Sequence, residues 1–105
     1  MRKFRPDEKE ITAYDSVFTA LPIANVRDQC QVLLARLTEG NKIGWHQAAV
    51  SQRLICLSGK VSVRGIDNHF TLEAGEGVEW LEKEWHETVA IRGALLLIVE
   101  AHSFE

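Results

Sequence analysis

Two Trp-His dipeptides, Trp45-His46 and Trp85-His86, hold the most chemistry in this 105-residue sequence. A neutral imidazole offers a lone pair to a divalent metal or accepts a proton from a small molecule, and two imidazoles together can do either. Each dipeptide follows a turn-rich segment near the start of a strand, so the two histidines can face one interior from neighbouring strands. Along the strand that begins near His86, Thr88 and Ala90 share its face, while Trp85, Val89 and Ile91 take the other. Thr88 and Ala90 are small and leave volume in front of the imidazole. Gln52 shares a face with Leu54 and Cys56, and if the preceding segment stays extended, His46 and Ala48 join that face. The pattern therefore brings His46, Gln52 and His86 inward together as polar anchors. Ala48, Leu54, Cys56, Thr88 and Ala90 would line the ligand-binding space beside them.

The remaining polar residues have plainer roles. His69, after Asp67-Asn68, is expected at a hairpin end, and His102, beyond the last apolar strand, at the surface. Glu100 and His102 share a parity that could bring them to the mouth of a barrel. Trp45, Trp80 and Trp85 are expected in core or rim packing. Glu73, Glu76, Glu79, Glu82, Glu84 and Glu87 concentrate acid around His86 with only Lys83 opposing, which suits a solvated loop and also raises the local cation concentration. No phosphate loop, HExxH pair or nucleophile elbow occurs. No catalytic residue is assigned, because no general base can be placed inside the barrel from sequence.

The elements that must carry these side chains are strands. Turn signals fall at Gly40-Asn41, Ser58-Gly59, Asp67-Asn68, Gly75-Glu76-Gly77 and Arg92-Gly93. The segments between them alternate or are wholly apolar. Lys60-Val61-Ser62-Val63-Arg64 is two-faced, whereas Val32-Leu33-Leu34-Ala35 and Leu95-Leu96-Leu97-Ile98-Val99 have no polar face and are expected to be covered on both sides. About seven or eight strands of the usual ~5 to 6 residues fit between Gln31 and Ala101, giving an all-β sandwich or barrel. Residues 1–30 are mixed in charge and irregular, and they form an arm leading into a barrel of residues 31–105. Phe4, Ile11, Tyr14, Val17 and Phe18 are too apolar for a free tail, so the arm is expected to lie on the domain or on a partner subunit. Pro22 suits the first position of a short helix over 23–27.

Composition narrows the partners. Twelve Lys and Arg against fifteen Asp and Glu leave a net charge of −3, without the basic excess that nucleic-acid binding needs. The longest purely apolar run, Ala94 to Val99, is far short of the ~20 residues that span a bilayer, so no membrane association is expected. Cys30 and Cys56 form no CxxC pair and are too few for a disulfide scaffold, and Cys56 lies in an apolar run as a small buried hydrophobe. A cytoplasmic protein is expected, and so small a chain gains from burying more surface in a homodimer.

The spacing of these residues resembles that of a small single-domain cupin. The family's first motif is Gly, then His-x-His, three or four residues, Glu, six residues and Gly. Here it reads Gly44-Trp45-His46-Gln47-Ala48, three residues, Gln52, six residues, Gly59. His46 stands at the first His, Ala48 replaces the second, and Gln52 replaces the Glu. The second motif is similar to Gly75 through His86, with Leu81 where Pro is usual, Lys83 where Gly is usual, and its histidine kept as His86. The resemblance implies a cupin-type double-stranded β-helix, a jelly-roll barrel with an N-terminal arm. It also implies a divalent metal, zinc, nickel, copper or iron, held by His46, Gln52 and His86. The degenerate ligand set favours binding of a small organic ligand with metal optional; the alternative is a metal-dependent dioxygenase or isomerase.

Overall fold

Period-two alternation over most of the chain yields strands throughout the computed structural model, which describes residues 1–12, 18–20, 22–26 and 29–104. In chain order they are β1 (Arg2–Phe4), β2 (Lys9–Ile11), β3 (Phe18–Ala20), β4 (Cys30–Leu37), β5 (Lys42–Gln47), β6 (Ser51–Arg64), β7 (His69–Glu73), β8 (Gly77–Trp80) and β9 (Trp85–Ala101). The antiparallel pair β6 and β9 is the frame, running from Ser51 opposite Ala101 to Arg64 opposite Glu87. Each long strand serves two sets of partners. The first half of β6 pairs with β8 and its second half with β7, while β9 pairs with β5 early and with β4 late. β1 extends the sheet beyond β8, so two wings share β6 and β9. This all-β jelly-roll arrangement is the one expected of a double-stranded β-helix.

The wings meet at glycines. Gly59 has φ of 82°, and a Cβ there would lie 2.0 Å from the carbonyl oxygen of Gly93. Only glycine allows that approach. Ser58-Gly59 and Arg92-Gly93, expected to be turns, are therefore bends inside continuous strands of 14 and 17 residues. Six strands, not seven or eight, occupy the chain from Cys30 to Ala101.

Between the wings lies the core: Leu54, Cys56, Leu96 and Ile98 from one half of the frame, Val61 and Val63 from the other, closed by Leu72, Val78 and Trp80. Each such side chain contributes about 1.5–3 kcal/mol on burial. The Ala94–Val99 stretch of β9 has no exposed residue, as expected, but β4 is open on its outer face. Its inner residues Leu33, Ala35 and Leu37 pack on the core, whereas Val32 and Leu34 stand 57% and 60% exposed. The expectation of two covered faces fails for β4 because among the described residues no element packs over Val32 and Leu34 on its outer face.

In the arm, β1 belongs to the main sheet and Phe4 packs against Gly77, where a Cβ would come within 2.8 Å of its ring. Arg53 lies 5.3 Å over the Phe4 ring and 4.6 Å over that of Phe104, and it donates to the carbonyl of Ile23 at 2.6 Å. β2 and β3 form a separate two-stranded pair. The helix expected over 23–27 does not form in its described part: residues 22–26 are irregular, Ile23 being tied to Arg53 instead. Tyr14, Val17 and Arg27 lie outside the described residues. Among the described residues, no helix is long and apolar enough to cross a membrane.

Candidate functional site

His46 on β5 and His86 on β9 are direct register partners, with ring centroids 4.3 Å apart. His86 is the second residue of its strand and is buried, as expected, but His46, near the end of β5 after a register shift, is exposed rather than inward. Each imidazole is held by a carbonyl two residues upstream: Nδ1 of His46 lies 2.7 Å from the Gly44 oxygen, and Nδ1 of His86 lies 3.3 Å from the Glu84 oxygen. A carbonyl only accepts, so these contacts assign the proton to Nδ1 and leave the lone pair on Nε2. His86 is 2% exposed, and burial, reinforced by His46, pushes its pKa below the ordinary imidazole range against the pull of the Glu84 carbonyl. It is neutral at pH 7.

Trp80 stacks on His86 with ring centroids 4.1 Å apart and planes 22° from parallel. It is fully buried, and its Nε1 has no hydrogen-bond partner among the described residues. Directly across from Trp80 is Gln52, whose Nε2 donates to Glu100 Oε1 at 2.8 Å. The carboxylate thereby fixes the amide orientation and leaves its oxygen available. Glu100 reaches this place through Gln52, and the Glu84 charge acts on His86. The parity of Glu100 with Leu96 and Ile98 was the available signal, but its partner on β6 is set by a register that local pattern does not contain.

The expected lining residues are all buried: Ala48 4%, Leu54 1%, Cys56 0%, Thr88 1% and Ala90 2% exposed. Ala48, Leu54 and Cys56 are members of the packed core. The extended run assumed before Gln52 is absent, since residues 48–50 leave the sheet. Ala48 is inward for another reason. Its N–H donates to the Glu84 carbonyl at 2.9 Å and its carbonyl accepts from Lys83 at 2.8 Å, clamping it to the loop that carries His86. Lys83 has φ of 75°, a left-handed conformation at the position where the cupin motif has glycine. The Cys56 thiol donates to the Ser58 carbonyl at 3.3 Å, and burial, with Glu76 nearby, pushes its pKa up. It is a poor nucleophile.

The acid near His86 is largely neutralised on the outer surface. Glu76 meets Lys3 and Arg5, Glu79 meets Arg2 and Arg53, and Glu87 meets Arg64, so Lys83 is not the only opposing charge. His69 and His102 are both exposed, as expected. Trp45 and Trp85, 40% and 39% exposed, stack together on the outside with ring centroids 6.0 Å apart.

Among the described residues no three His, Cys, Asp or Glu groups gather as a metal site. The two imidazoles and the Gln52 amide remain, with the Glu100 carboxylate engaged by the Gln52 amide rather than gathered with the imidazoles. That set does not fit a resident four-ligand metal centre.

No protein-family model matches the chain, and no curated protein matches it. Solved structures do. A cupin-2 domain protein from Shewanella frigidimarina is 22% identical, with TM-score 0.62, over 72% of this chain and 74% of its own. An RmlC-like cupin with a double-stranded β-helix fold from Methanocaldococcus jannaschii is 17% identical, with TM-score 0.64, over 69% of each chain. A salicylate 1,2-dioxygenase variant from Pseudoaminobacter salicylatoxidans is 14% identical, with TM-score 0.64, over 76% of this chain and 22% of its own. The fold of the chain is that of a small cupin domain.

Proposed function

We propose that this cupin domain binds a small hydroxylated organic molecule at the end of its core, between Trp80, Gln52, His46 and His86. The observation that carries the reading is the buried Trp80 Nε1 without a partner, stacked on a neutral imidazole. A buried donor left unmade costs about 1–3 kcal/mol, which a ligand hydroxyl recovers by accepting from Trp80 while donating to an Nε2 lone pair. The Gln52 oxygen is a second acceptor. Ala48, Leu54, Cys56 and Ala90 supply the apolar floor, and Thr88 adds a hydroxyl. The test is ligand-observed NMR with glycerol and D-ribose. Binding is expected to weaken at least about tenfold in His86→Ala and in Trp80→Phe, which keeps a ring but removes the N–H; unchanged binding in both would overturn the reading.

One observation favours a second reading, a metal-dependent dioxygenase or isomerase: two adjacent imidazoles with uncommitted Nε2 lone pairs. Elemental analysis of untagged protein purified without chelator decides it. Near-stoichiometric zinc, nickel, copper or iron that vanishes in a His46→Ala, His86→Ala variant would favour the enzyme. The exposed Val32 and Leu34 on β4 support a homodimer, and the two unpaired cysteines suit a reducing, cytoplasmic compartment.

A further inference from the structure

The register of four strands lines up Gln31, Glu100, Gln52 and Trp80 in one row across β4, β9, β6 and β8. Gln31 is exposed, Glu100 and Gln52 are half-buried, and Trp80 is buried, so the row runs from solvent into the core end. Its outer part opens into a cleft of about 520 Å³ lined by Cys30, Gln31, Val50, Glu100 and His102, among others. Glu100 belongs to both places: it lines the cleft and holds Gln52, which lies across from Trp80.

Among the described residues no lysine or arginine lines the cleft. Among the described residues Glu100 accepts from a neutral amide and has no cationic partner, unlike Glu76, Glu79 and Glu87, each paired with lysine or arginine. A half-buried carboxylate in that setting attracts a cation, and an ammonium on a ligand forms the charge-assisted hydrogen bonds that an amide cannot match. The surrounding amides are suited to orienting a compact donor-rich head.

We propose that this cleft is an ammonium subsite, so that the molecule bound at the core end is a small amino alcohol or amino polyol whose amine rests on Glu100. The proposal rests on the ligand site being at the core end, and its test separates the two. The probes are 2-amino-1,3-propanediol and glycerol, which differ only by an ammonium in place of a hydroxyl, titrated by NMR at pH 7 and low salt. The wild-type protein is expected to prefer the amine by about tenfold, a preference that shrinks as salt is raised. Glu100→Gln keeps a group able to accept from Gln52 and is expected to abolish the preference, so that the two probes bind equally; His86→Ala is expected to weaken both probes. Equal binding of the two probes by the wild type, or a preference that survives in Glu100→Gln, would overturn the subsite and leave the core-end site standing. Failure of both probes to bind the wild type would overturn both. The wild-type preference is read without any substitution, so a variant that misfolds does not shield the proposal.

Discussion

Leu33, Ile98, Leu54 and Val78 cross β4, β9, β6 and β8 as a band of hydrocarbon; the next inward row on the same strands, Gln31, Glu100, Gln52 and Trp80, bears a polar group on every side chain. The backbone is the same ladder in both rows, so the difference lies wholly in the side chains. The apolar row closes the core. The polar row ends it, and there the buried Trp80 Nε1 and the neutral His86 are found together. In this jelly roll, polar side chains gather where packing stops, one pleat from residues whose only task is burial.

That contrast is open to measurement. Leu54→Ala in the apolar row is expected to lose about 2–5 kcal/mol in urea unfolding, through lost transfer energy and the cavity left behind. Gln52→Ala in the polar row is expected to lose about 1 kcal/mol, the worth of its hydrogen bond to Glu100. Equal losses would break the comparison. His86 sharpens it through pH. Its folded pKa is depressed by burial, so the unfolded chain takes up the proton first as pH falls. The stability tied to its neutral form is present above about pH 6.5, the ordinary imidazole value, and is lost as pH falls from there through the lower folded pKa. Urea midpoints at pH 7.5 and 5.5 should therefore fall less between the two in His86→Gln than in the wild type. The smallest expected effect is on the opposite face of the same sheet. Leu34→Arg, at a site 60% exposed, is expected to change unfolding by less than about 0.5 kcal/mol, yet to shift sedimentation from dimer to monomer. A dimer unaffected by the change would place the interface elsewhere.

Much of the site was legible wherever it depended on strand parity. His86, Thr88 and Ala90 turned out inward and buried, and Trp85 and Ile91 outward, because period two is a local property of an extended chain. Parity failed at His46, which is exposed, because the chain leaves the sheet between it and Gln52; Ala48 is buried by its clamp to the His86 loop instead. The pairing of Gln52 with Glu100 was hidden, since register between distant strands is set by the whole fold. Ser58-Gly59 and Arg92-Gly93 were misleading for a related reason. Glycine marks a sharp change of direction equally in a turn and in a bend, and only the ladder on either side distinguishes them.

Those bends also bear on how the molecule forms. Because β6 and β9 each serve both wings, neither wing has a frame of its own, and no half can be completed before these distant strands have met. Contacts this far apart along the chain pay their loop-closure entropy before any packing rewards them, which places folding in the slow, millisecond-to-second regime of β-sandwiches. Once β6 and β9 have joined, the two wings are expected to gain and lose protection against hydrogen exchange as one unit.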